Sequence, residues 1–129
     1  MKIKLLGSAI AAAAISVTTM MAPTHAYSAD FKCSTAKLIV PWGAGGGTSV
    51  IFNIFENIIN NELKADPKIQ VVTIPGQGGN KGAKEAKKAK PDGCTLFAIH
   101  QSAIVSFLNG RVDFNHEGFD TVAQLTSTP

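Results

Sequence analysis

Two glycine-rich stretches are the parts of this chain best suited to chemistry: Gly43-Ala44-Gly45-Gly46-Gly47 and Gly76-Gln77-Gly78-Gly79. Glycine lets the backbone approach a ligand closely and turn successive N–H groups toward it. The first stretch runs into Thr48 and Ser49, the second into Asn80. Each of these short polar residues can cap a helix by accepting an orphan N–H of its first turn. A helix N-terminus is partly positive, so both junctions suit an anion. A charge-assisted hydrogen bond contributes ~1.5–3 kcal/mol and a helix terminus ~0.3–1 kcal/mol. Two such loops can therefore hold a carboxylate without an arginine, and the only one, Arg111, is remote from both in the chain. The candidate ligand contacts are Gly45, Gly46, Gly47, Thr48 and Ser49 from the first loop, and Gly78, Gly79 and Asn80 from the second. Three further residues join them, each with a structural reading beside the functional one. Trp42 packs against ligand carbons or belongs to the core; His100 touches the ligand or is a structural histidine; Ser102 offers its hydroxyl or caps the helix that follows.

Other chemistries find little to work with. The first loop lacks the lysine of a phosphate-binding P-loop. The second loosely resembles a dinucleotide loop, but about 20 residues further on stand His100 and Gln101 instead of an acid. No nucleophile stands in a recognisable pairing with a base, and no Cys/His spacing matches a metal site. The expectation is a binding protein, not an enzyme, with neither cofactor nor metal. A nucleotide-binding enzyme domain is the competing reading.

The elements that must position these loops can be read from hydrophobic spacing. Lys37 to Val40 reads as a short apolar strand of the kind buried on both faces of a parallel sheet. After the first loop, Ile51, Phe52, Phe55, Ile58, Ile59 and Leu63 recur at three- and four-residue steps, with Asn53, Glu56, Asn57, Asn60 and Asn61 on the other side. That is an amphipathic helix packed along one face. The plan then repeats: a β-branched strand from Ile69 to Ile74, the second loop, and a helix with Ala83, Ala86 and Ala89 on one stripe. Lys84, Lys87, Lys88 and Lys90 face outward or crowd its C-terminal turn, where positive charge suits the dipole. Pro91-Asp92-Gly93 is a turn, Thr95 to Ile99 a third strand, and Ala103 to Leu108 a short apolar helix. Thr121 to Thr126 reads as one more strand. Successive βα units imply a parallel sheet with right-handed crossovers. Both glycine loops then lie at the carboxyl edge of that sheet, where ligands bind in open α/β folds.

The first 26 residues have the order of a secretory signal peptide: Lys2 and Lys4, an apolar run from Leu5 through Val17, and a small-residue site at Thr24-His25-Ala26. The apolar run is shorter than the ~20 residues of a membrane span. The formal charge of +3 includes those two lysines, so residues 27–129 carry only +1. Near-neutrality argues against nucleic-acid binding, which uses a clustered basic surface. A hydrophobic fraction of 45% excludes a disordered chain. Export makes a disulfide feasible. Cys33 and Cys94 each precede a strand expected to neighbour the other, so both sit at the same end of the sheet and a Cys33–Cys94 bridge is expected.

Three segments in fixed order carry a family resemblance: Leu38-Ile39-Val40-Pro41-Trp42-Gly43-Ala44-Gly45-Gly46-Gly47-Thr48, Pro75-Gly76-Gln77-Gly78-Gly79-Asn80-Lys81-Gly82-Ala83, and Lys90-Pro91-Asp92-Gly93-Cys94-Thr95-Leu96. Together they resemble the solute receptors of tripartite tricarboxylate transporters, the Bug family, over residues 36–129. The resemblance implies an α/β fold with a three-layer parallel sheet, here the partial first domain of a type II periplasmic-binding-protein-like fold. Residues 27–129 would be the N-terminal part of a two-domain receptor, with the second domain absent, so weak carboxylate binding or none is expected. It implies a periplasmic, monomeric protein with a small carboxylate and membrane transporter subunits as partners, and carboxylate recognition by backbone amides and water from these two loops. A truncated remnant without function is a further alternative. The pattern departs from the family at Ser49, where Asp is common, at Thr73-Ile74, where Asn-Arg is common, and at Gln77 and Lys81, where small or apolar residues are usual. These departures leave the ligand's identity open.

Overall fold

The structure, a computed structural model, describes residues 31–127. The expected signal peptide, residues 1–26, lies outside them. Three parallel strands form one sheet, β1 (Thr35–Val40), β2 (Lys68–Thr73) and β3 (Thr95–Phe97), in the order β2-β1-β3. Three helices connect and follow them: α1 (Gly47–Asn57), α2 (Asn80–Lys88) and α3 (Ser102–Leu108). This is the α/β alternation that the hydrophobic spacing implies. β1 pairs with both neighbours, Leu38 opposite Val71 on one side and Leu96 on the other.

A central parallel strand is covered on both faces, which is why β1 reads as a continuous apolar run. Side chains alternate between faces. Leu38 and Val40 join Ala98 in the core on one face, where Phe52 of α1 packs with Ile69, Val71 and Leu96. Ile39, 1% exposed, points to the other face, toward α2. On α2 the buried stripe is Gly82, Ala83 and Ala86. Those small residues permit the close approach that the alanine spacing predicts.

The polar side of α1 departs from expectation. Asn53, Asn57 and Asn61 are exposed, whereas Glu56 and Asn60 turn inward against β2. The Asn60 amide donates to the Ile69 carbonyl (2.7 Å), and its oxygen accepts from the Ile69 N–H (2.8 Å). The Glu56 carboxylate accepts from the Val71 N–H at 3.0 Å. β2 is an edge strand, and an edge leaves a row of unpaired backbone groups. Residues four apart on a helix share a flank, so these two side chains meet successive outward amides and take the place of a fourth strand. Asn60→Ala leaves both Ile69 groups without partners and is expected to lower the unfolding free energy by ~1–3 kcal/mol. Asn61→Ala, on an exposed residue, should stay within ~0.5 kcal/mol. Urea midpoints of the two variants decide this, and equal midpoints would show that the edge is not held by Asn60.

Two apolar positions expected on the packed face of α1 are exposed, Ile51 at 42% and Leu63 at 69%. For Leu63 the cause is a π-helical turn at Ile58–Glu62, whose wider step carries the chain off the helical stripe. The expected strand from Thr121 to Thr126 is irregular and exposed. A strand has no hydrogen bonds of its own, so strand-like composition makes no strand where the segment does not pair with a neighbour. The preceding segment is fastened instead: Lys87 donates to the Gly118 carbonyl (2.6 Å) and lies over the Phe119 ring, which packs on Phe97 and Phe114.

Cys33 and Cys94 are joined by a disulfide, with their Cα atoms 6.0 Å apart. It ties the chain before β1 to the chain before β3. The Asp92 carboxylate accepts from the Cys94 N–H (3.0 Å) and shapes the turn that delivers the second cysteine.

Candidate functional site

Both glycine loops leave the carboxyl ends of neighbouring strands, as the parallel order requires. In the first, the Gly46 N–H donates to the Gly43 carbonyl at 3.2 Å, Gly45 adopts a left-handed φ of +84°, and α1 begins at Gly47. Neither Thr48 nor Ser49 caps this helix. Ser49 lies inside the first turn, fully buried, with its hydroxyl 2.8 Å from the Gly46 carbonyl and 3.0 Å from the Gly43 carbonyl. It donates back into the loop where an accepting role had been expected. Starting the helix at Gly47 turns Ser49 inward, so it holds the loop's shape and leaves the crevice to the exposed Gly45, Gly46 and Gly47 and the half-buried Thr48.

The second loop passes through four consecutive left-handed residues, Gly76, Gln77, Gly78 and Gly79, with φ of 132°, 53°, 65° and 92°. Three are glycine, for which this region carries no steric penalty; Gln77 is the one strained position. α2 then opens at Asn80, with Gly79 as the residue before it and no side-chain cap. Asn80 was expected as the cap. It sits one residue inside the helix instead, and its carboxamide is left for something else. Asn80 is 5% exposed, and its side chain makes no hydrogen bond to any described residue.

Trp42 connects the loops. A Cβ placed on Gly79 would lie 3.3 Å from the Trp42 ring, and one on Gly82 would lie 2.9 Å from Pro41. The second loop and the start of α2 therefore rest directly on the root of the first loop. The ring of His100 stacks on Trp42 with centroids 4.8 Å apart and planes 16° apart. The Trp42 indole N–H is buried without a hydrogen-bond partner. Buried indole N–H groups ordinarily have one.

His100 has a local role as well: its Nδ1 accepts from the Ser102 N–H at 3.2 Å, at the start of α3. Ser102 is the first residue of that helix, and Gln101 precedes it. Ser102 makes no cap. Between Gly78, Gly79, Asn80, His100 and Ser102 lies a cleft of about 10 Å³, room for a water-sized group. Ile99 and Ala103 also line it; the spacing of the sequence offered no signal for them beyond their place at a strand end. The structure thus gathers Trp42, Gly78, Gly79, Asn80, His100 and Ser102 in one place, while Ser49 is taken into the first loop.

Comparison of the chain with protein-family models, with curated proteins and with solved structures finds no match.

Proposed function

We propose that this chain is an extracytoplasmic solute receptor of the tripartite tricarboxylate transporter type, with a type II periplasmic-binding-protein-like fold, and that it holds a small carboxylate at the carboxyl edge of its sheet. The observation that carries the reading is the pair of unpartnered donors beside the second loop: the buried indole N–H of Trp42 and the carboxamide of Asn80. Together with the N-terminus of α2 they present partial positive charge and no carboxylate, which is what an anion requires. Ordered paired glycine loops after an apolar leader support the transport role. In this role the protein is periplasmic and monomeric, meets membrane transporter subunits, and catalyses nothing.

On this reading the two glycine loops and Trp42 supply the contacts to the carboxylate. Titration with citrate and succinate should move the Trp42 indole N–H resonance and the backbone amides of Gly46 and Gly79 in a saturable way. Trp42→Phe keeps an aromatic ring but removes the donor and part of the surface that Gly79 rests on, and is expected to weaken binding ~5–20-fold. A chain that responds to nucleotides and ignores carboxylates would replace this reading with the enzyme one, and carboxylate titrations that leave the Trp42 and loop resonances unmoved would remove it.

A further inference from the structure

We propose that the chain carries a second anion site, in a cavity of about 310 Å³ beneath the last turns of α2. It lies at the opposite end of the sheet from the glycine loops, beside Cys94. Three elements build it. β1 supplies Lys37, in register with Thr95 of β3, and Ile39 as the floor; α2 supplies Glu85 and Lys88; the turn toward β3 supplies Lys90. Lys37, Lys88 and Lys90 make no ion pair or hydrogen bond with any described residue.

The charge balance favours an anion. Asp92, also in the lining, is engaged by the Cys94 N–H. The Glu85 and Asp92 carboxylates, the latter keeping its charge beside a neutral N–H, and the helix's C-terminal half-charge oppose three ammonium groups, so the balance stays on the positive side by a fraction of a charge. Lysines at a helix C-terminus are sufficiently explained by the dipole, but Lys37 is not on that helix. It comes from the sheet and lines the same cavity as Lys88 and Lys90, so the cavity's lysines are not all accounted for by one helix end. Size selects the ligand class. The volume is at the lower end of small-molecule sites, ~300–1,000 Å³, so a compact dianion fits, a short dicarboxylate or a phosphate monoester. Exposed ammonium groups are screened by water and salt, so the affinity is weak and falls with ionic strength.

The inference does not depend on the carboxylate reading of the glycine loops, and the two sites report through different amides. Nitrogen-15 NMR of the chain with its disulfide intact, titrated separately with succinate and glycerol phosphate at low salt, should give saturable shifts at Lys37, Lys90 and Thr95. Saturation by only one of the two identifies that dianion's class. The exposed pair Lys37→Gln/Lys90→Gln should weaken this binding ~5-fold or more, while Lys84→Gln, which removes the same charge from α2 outside the cavity, should change it less than ~2-fold. Non-saturating shifts spread over all lysines, shifts confined to Gly46 and Gly79, or equal losses in the two variants would overturn the proposal.

Discussion

Replacing Cys33 and Cys94 together by alanine is expected to lower the unfolding free energy by roughly 3–4 kcal/mol, the largest effect of any change short of rebuilding the core. The two residues are 61 positions apart. Opening a loop of that length frees the unfolded chain by ~4 kcal/mol on the chain-entropy account. Native stability of a domain is commonly only ~5–15 kcal/mol, and this core is small: Ile39 and Val40 are the large apolar side chains of the described residues that are buried to below 2% exposure. β3 depends on the bridge most. It is three residues long and pairs with β1 alone, so the disulfide anchors the start of a strand that few ladder bonds hold. Guanidinium unfolding with and without reductant measures the effect. The reduced protein and the double variant should share one lowered midpoint. A midpoint unchanged by reduction, or two free thiols in the denatured, unreduced protein, would remove the bridge from the description.

Gly82→Ala is expected to destabilise by ~1–3 kcal/mol and to disturb the Trp42–His100 stack. Its sign is the informative part. In an exposed helix this substitution would stabilise by up to ~1 kcal/mol, because alanine is the better helix former. Here a Cβ would lie 2.9 Å from the Pro41 Cβ and 3.0 Å from both the Pro41 Cα and the Ile74 carbonyl oxygen. Two of those three are backbone atoms at strand ends, which cannot swing aside as a flexible side chain does. The helix must lift, and with it Gly79 and Asn80 leave the Trp42 ring. Gly47→Ala, also helical but with nothing within 4 Å of its added Cβ, is the control and should be neutral or slightly stabilising. Thermal unfolding and the Trp42 fluorescence of both variants check the pair. If Gly82→Ala raises stability as Gly47→Ala does, α2 does not approach the sheet this closely and the loops are not held together as described.

The first prediction concerns the bridge that anchors β3 to β1, the second the seating of the second loop on the first, and both show where sequence and tertiary structure divide the work. Element order, parallel pairing and the position of the glycine loops at the carboxyl ends of β1 and β2 were legible in the residues. Each follows from spacing along one segment: a short apolar run, a three- and four-residue step, glycines at a strand end. The disulfide partners were legible for a related reason, since parallel neighbours must start at the same end of a sheet.

What the residues alone left open was which polar groups find partners. Asn60 and Asn61 are identical in type and adjacent in sequence, yet one seals the edge of β2 and the other faces solvent. Ser49 and Asn80 both looked like caps. A shift of one or two residues in where each helix starts buried the first hydroxyl against its own loop and left the second carboxamide unpartnered. Thr121 to Thr126 has the composition of a strand but pairs with none of the three strands. Periodicity is a property of a single segment and survives in the sequence. Hydrogen-bond satisfaction is a property of two segments brought together, so only the folded chain decides it.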